Sequence, residues 1–323
     1  MSIISVGVGD NIQSAIDIAG VGDTVSVAAG TYTNQFLSIT KSMTLSASGG
    51  LARIDASVSP PNGKAAITVG APGIAVTIAG FAISGVTVPD NNGAAIRYEG
   101  GDLTLRDDWF YNNQEGVLGA NDPSGNILMD HLEIAFNGDG SGHTHGVYVN
   151  QLASFTITNS YIHDTAVGHE IKSRAANNTI TNNRIFDNNG SASYSIDLPN
   201  GGNASIRNNV IQQGSNTQNP AIIAYGEEGL AYASNNVTLS GNTIVNDNPG
   251  GYGILNPTSV GPTNFIGNSV WNLANPLGGD VLAIRPVLDL LPISFITTPP
   301  PIPPPTPPPT KPGKGHGRGK PTR

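Results

Sequence analysis

The chain has 323 residues, a formal net charge of −8, 41 Gly, 24 Pro and no Cys. Without cysteine, disulfides and thiolate metal sites are excluded; the wealth of Gly, Ser, Thr, Asn, Val and Ile over helix formers excludes a helical protein and predicts short strands joined by turns. From Pro299 onward there are five basic residues and no acid, so the remainder carries ten basic and 23 acidic residues, a net of −13, and such a body repels nucleic acid and bare polyanions unless cations mediate.

In chain order, the opening MSIISVGVGD has no basic region and no long apolar run, so no Sec signal peptide is visible. No stretch approaches the ~18 apolar residues of a membrane span. Asp10 to Ala19, DNIQSAIDIA, reads as a short amphipathic helix, with Asp10 as N-cap and Gln13 closing a capping box. Its apolar face (Ile12, Ile16, Ala19) is placed to plug the open end of a stack of strands, covering edge backbone.

The chain beyond this helix is repetitive. Two aliphatic or aromatic residues five apart recur: Ile78/Ile83, Leu105/Phe110, Met129/Ile134, Ile157/Ile162, Ile180/Ile185, Ile206/Ile211, Leu239/Ile244 and Phe265/Val270. Successive pairs start 27, 24, 28, 23, 26, 33 and 26 residues apart. Between the members, Asn183, Asn209, Asn242 and Asn268 share one offset, and Asn-Asn pairs recur at 112-113, 182-183, 208-209 and 235-236. Coils of this length that cannot bury their apolar face alone stack into a solenoid, and a column of Asn amides is one way to hold its turns. The pattern predicts an all-β, right-handed parallel β-helix over residues 1–297. A β-sandwich with strands every 8–12 residues leaves the longer period unexplained.

Alignment of the coils brings out the candidate functional residues. Asp107-Asp108 are adjacent and point to opposite faces of a strand, so they do not flank one glycosidic bond. SGHTHG sets His143 and His145 at an i, i+2 spacing that suits one metal, without a third ligand. GHEIKSRA, residues 168–175, packs four ionisable groups into a chain only 12% charged. Levelling Val147, Ile171 and Ile196 stacks Tyr148, Lys172 and Asp197 one step on; Gly146, Glu170 and Ser195 one step back; and Asn150, Arg174 and Pro199 three steps on. With Ile171 inward, alternation predicts Glu170, Lys172 and Arg174 outward together. His145, His169 and Tyr194 share a column two steps earlier. The plainer alternatives are an inert aromatic stack and a surface ladder of ion pairs. YGEEG puts Glu227 and Glu228 in a turn near this patch, and such carboxylates suit Ca²⁺. From Thr298 the chain turns Pro-rich and then basic, predicting an extended, disordered tail over 298–323.

The repeats SFTITNSYIHD, NNTITNNRIFDN and NASIRNNVIQQ resemble coils of the pectate-lyase-like β-helix superfamily, which includes polysaccharide lyases, polygalacturonases, mannuronan C5-epimerases and phage depolymerases. The Asp-Pro-His-Asp signature of the epimerases is absent, Asp130-His131 being the nearest fragment. Of the polygalacturonase motifs, only Asp107-Asp108 and Lys172 have counterparts. The resemblance implies an extracellular or cell-surface protein acting on a polysaccharide, with a Lys or Arg base and Ca²⁺ held by carboxylates. Lys172, Arg174, Asp197, Glu227 and Glu228 supply those residue types. The expected activity is a lyase on uronic-acid polysaccharide. Lys172 is its base if desolvation and Arg174 lower its pKa, Arg174 neutralises the substrate carboxylate, and His169 or Tyr148 is the acid. Glu170, His145, Tyr194 and Asp197 serve as further substrate contacts. The alternatives are C5-epimerisation at the same site and a non-catalytic glycan-binding module. A phage or secretion fibre would need trimerisation, and the tail has no heptads to drive it.

Overall fold

A computed structural model describes residues 1–188, 190–248, 250–258, 263–273 and 275–279. The predicted tail, 298–323, lies outside these residues. The described chain forms 27 strands and one helix. The strands pair in parallel with their counterparts about one coil away, as a solenoid requires.

All eight five-apart pairs occupy matching positions. Their first members stack in one column, from Ile78 and Leu105 through Met129, Ile157, Ile180, Ile206 and Leu239 to Phe265. The second members stack on the next sheet, from Ile83 and Phe110 to Ile244 and Val270. Both columns are buried and join one continuous apolar core. A side chain there touches its equivalents above and below, so a pattern that recurs once per coil buries every copy.

The turn between these sheets explains the asparagines. Asn182, Asn208, Gly241 and Gly267 have φ of 58°, 54°, 65° and 58°, a left-handed conformation that Gly and Asn adopt at least cost. The residue after each is a column asparagine. Asn183 Nδ2 donates to Asn209 Oδ1 (3.1 Å), Asn209 Nδ2 to Asn242 Oδ1 (3.0 Å) and Asn242 Nδ2 to Asn268 Oδ1 (2.8 Å). Ser160 and Asp108 hold equivalent places in earlier coils, accepting the backbone N–H groups of Leu132 and Phe81. Asp108 is thus a buried turn residue. The Asn235-Asn236 pair is different, since Asn235 Oδ1 accepts the Gly202 N–H instead.

The helix spans Ile12–Ile18 and buries Ile12, Ala15 and Ile16 against the first coils. Its N-cap is Asn11, whose side chain accepts from Ser14 N (2.8 Å), and not Asp10. Asp10 is occupied one turn earlier, its carboxylate accepting from Gly7 N. Nor does Gln13 close a capping box; its side chain accepts from Ser38 N and donates to Asp17. The cap position went to the residue whose side chain was free. Among the described residues no helix is long and apolar enough to cross a membrane.

Candidate functional site

A third sheet carries the candidate residues on the strands Glu115–Gly119, Val147–Val149, Ile171–Ser173, Ile196–Leu198 and Ala221–Tyr225. Val147, Ile171 and Ile196 are in register and point inward, and Tyr148, Lys172 and Asp197 sit level beside them. The expected alignment is therefore the observed one.

On the outer side, Arg174 organises the patch. Its Nε donates to Tyr148 Oη (3.1 Å), and its Nη1 lies 2.7 Å from Glu228 Oε2 while Nη2 donates to Glu228 Oε1 (3.0 Å). This two-point grip matches a planar guanidinium to a planar carboxylate. Arg174 also donates to Asn200 Oδ1, and Tyr148 Oη to Asn150 Oδ1. Lys172 Nζ lies 3.0 Å from Asp197 Oδ2 and 3.4 Å from Glu228 Oε1. Burial disfavours the charge on Lys172, but Asp197 and Glu228 outweigh it, and its pKa is raised. The lowering that would make Lys172 a resting base is not met; it enters as a cation.

Asp197 is fully buried, although it sits on the outer column, because His169 and Lys172 cover it. Glu227 is pushed well above the usual carboxylate range by burial and then by Asp197 beside it, so it holds a proton when Asp197 is ionised. Glu228 turns the other way, towards the two cations. Among the described residues no three His, Asp or Glu side chains come together as metal ligands. The Lys172 ammonium stands against Asp197 and Glu228 where a cation would sit, so Asp197, Glu227 and Glu228 do not fit as a Ca²⁺ set. The His143/His145 pair does not form one either, since His145 Nδ1 is taken by the His169 N–H (3.0 Å).

The histidine column does stack, with His145 and His169 rings 4.8 Å apart and His169 and Tyr194 rings 5.1 Å apart. Each side chain also accepts a backbone N–H from the next coil. Glu115 Oε2 takes His145 N (2.8 Å), His145 Nδ1 takes His169 N, and His169 Nδ1 takes Tyr194 N (3.3 Å). Burial lowers the His145 and His169 pKa values to about 2 and about 4. Both rings are neutral at pH 7, and their Nδ1 lone pairs are in use. That leaves Nε2 of His169 to carry the proton facing Asp197 Oδ2 at 3.3 Å. His169 accordingly covers Asp197 as a neutral ring.

Glu170 is a correction. It is fully buried and faces away from Lys172, accepting from Thr165 N (3.0 Å) and bonding Thr165 Oγ1 (2.6 Å). The strand begins only at Ile171, so Glu170 still belongs to the turn and alternation does not govern it. Residues that sequence reasoning missed are Asn200, Glu115 and Tyr232, the last donating to the Arg174 carbonyl from a distant loop. Glu115 was recoverable by extending the histidine column one coil back; Tyr232 carried no signal.

The family described as right handed beta helix region matches residues 65–192 and 141–270, more than half of the chain, so the chain belongs to this family. Its architecture is that of the pectate-lyase-like β-helix proteins. Among solved structures it is similar to an alginate lyase from Paenibacillus sp. str. FPU-7, with TM-score 0.53 and 16% identity over 87% of this chain and 99% of that one. It is also similar to ORF18 of Geobacillus virus E2, with TM-score 0.52 and 17% identity over 87% of this chain; it spans 60% of the phage protein. At such identities the likeness is one of fold. No curated protein sequence matches the chain.

Proposed function

We propose that this protein is a carbohydrate-active β-helix enzyme that cleaves uronic-acid polysaccharide by β-elimination at the Tyr148, Lys172 and Arg174 patch. The observation that carries the reading is the grip on Glu228. Two cations on a sheet face hold one carboxylate at two points, from a turn that is itself exposed. A uronate carboxylate presents the same planar pair of oxygens, and neutralising it stabilises the dianion that forms when C5 loses its proton. The likeness in fold to an alginate lyase agrees with this substrate class.

The proton positions fit one assignment of roles. Arg174 neutralises the substrate carboxylate after Glu228 yields its place. Tyr148, whose oxygen accepts from Arg174 Nε, takes the C5 proton once its own hydroxyl proton, hydrogen-bonded to Asn150 in the resting site, has passed to solvent. The C5–H electron pair forms the C4–C5 double bond as the C4–O bond breaks. Lys172, a cation in the resting site, gives a proton to the leaving oxygen. Asp197, 3.0 Å from Lys172 Nζ, keeps Lys172 charged and aimed. Return of the proton to the opposite face of C5 would make the same site an epimerase.

The test is incubation with a panel of uronic polysaccharides, following the absorbance of unsaturated uronate. A rise on at least one substrate is expected. Inversion at C5 by NMR without any rise would replace the lyase with the epimerase, and binding without either change would leave a glycan-binding module.

A further inference from the structure

The Glu228 arrangement has a counterpart on the same sheet. Lys64 Nζ lies 2.7 Å from Glu99 Oε1, and Arg97 Nε donates to the same oxygen at 3.0 Å. Again a Lys and an Arg share one partly exposed carboxylate. Arg97 is also in register with the site: it pairs with Leu118, Leu118 with Tyr148, and Tyr148 with Lys172. Three coil steps separate Arg97 from Lys172, about 14 Å at ~4.8 Å per step.

The charge distribution makes this more than a pair of surface ion pairs. The described residues contain nine Lys and Arg. Four of them, Lys64, Arg97, Lys172 and Arg174, gather in these two clusters, within a body whose net charge is strongly negative. An anionic polymer repelled elsewhere is attracted along this line. One pyranose of an extended 1,4-linked chain advances by nearly one coil step, so a polyuronate lying parallel to the stacked coils brings a second carboxylate to Arg97 while the first lies on Arg174. Between them the chain passes over Tyr148, whose ring and hydroxyl suit a sugar face and its oxygens.

We propose that Lys64 and Arg97 form a distal carboxylate subsite for the same polyuronate chain, three coils from the catalytic patch, with Glu99 occupying it in the free protein. The inference rests on the reading of Arg174 as a uronate carboxylate holder and adds the direction and length of the bound chain.

Binding of defined oligogalacturonates and oligomannuronates, measured by calorimetry and NMR titration at low ionic strength, tests it. Arg97→Ala and, separately, the half-exposed Lys64→Ala should each weaken hexasaccharide binding about fivefold, the upper end for an accessible ion pair, and leave disaccharide binding unchanged. Glu99→Gln should tighten the hexasaccharide and not the disaccharide, a sign that a merely structural carboxylate would not produce. Equal losses at both lengths, or an unaltered hexasaccharide, would overturn the subsite. A wild-type protein that binds both lengths yet releases no unsaturated product would sink the lyase alone. One that binds neither would sink both.

Discussion

The asparagine turn and the Tyr148–Lys172–Asp197 row are built at the same spacing and behave in opposite ways. In the turn, each amide gives to the next coil what it receives from the previous one, so identical residues satisfy each other. In the row, no residue repeats: a phenol, an ammonium and a carboxylate lie level, and each needs partners that the neighbouring coil does not duplicate. Those partners arrive from the 226–232 segment, which brings Glu227, Glu228 and Tyr232 over the sheet. Repetition builds the solenoid, and the interruption of repetition builds the site.

The largest expected effect breaks the row. Lys172→Arg keeps a cation beside Asp197 but cannot give up a proton near neutral pH, so turnover should fall about a thousandfold, ~4 kcal/mol, with the melting midpoint little changed. Lys172→Ala should lose activity and stability together. The lysine side chain is only 12% exposed and Asp197 not at all, so removal strands a buried carboxylate. An unchanged midpoint in Lys172→Ala, with full turnover in Lys172→Arg, would reduce the row to surface ion pairs.

Next comes the turn itself. Asn209→Leu removes the partner of Asn183 and Asn242 and the donor to the Ile180 carbonyl, which should cost about 3 kcal/mol. Thermal unfolding measures it, and a wild-type midpoint would mean the column contributes nothing.

Two pH effects sharpen the contrast between paired and lone buried charges. His163 is buried, which disfavours its charge, yet Asp164 at 2.6 Å and Glu133 raise its pKa to about 9. The folded value lies above the unfolded one, so its stabilisation is complete below about pH 6.5 and is lost as pH rises through 9, about 3 kcal/mol in all. Unfolding titrations should show that slope in the wild type and not in His163→Gln. Glu170 is the reverse case: burial lifts its pKa to about 8, outweighing the hydrogen bonds from Thr165 and the charge on His163. The folded form holds its proton more tightly, so Glu170 costs stability as pH climbs above the unfolded value. Glu170→Gln, which keeps an acceptor for Thr165 N, should be neutral at pH 4 and more stable at pH 8, by about 4 kcal/mol for a shift of this size. A mutant less stable at both would show that the carboxylate form is needed.

Legibility in the sequence tracked the same division. The eight apolar pairs, the Asn column and the register of Val147, Ile171 and Ile196 were all readable, because each is a property of one coil tested against its neighbours. The histidine stack was readable as a column but not as a ladder of acceptors for backbone N–H groups. Glu170 was misplaced because alternation was extended one residue before the strand began. The Asp10 cap failed for a similar local reason: two adjacent side chains could serve, and a turn at Gly7 had already engaged one.

By itself the sequence determined the architecture of the described chain, since a period near 26 residues with two inward positions five apart admits one way of burying every copy. It also determined which ionisable residues share a face, through side-chain alternation within the strands. Only the tertiary structure decided their protonation and exposure. Lys172 is a cation, His169 a neutral ring, Asp197 fully covered and Glu227 raised above the usual carboxylate range because of groups from other coils and from a segment more than fifty residues from Lys172. The field and the solvent access at a residue are sums over everything packed around it, and no local pattern carries that sum.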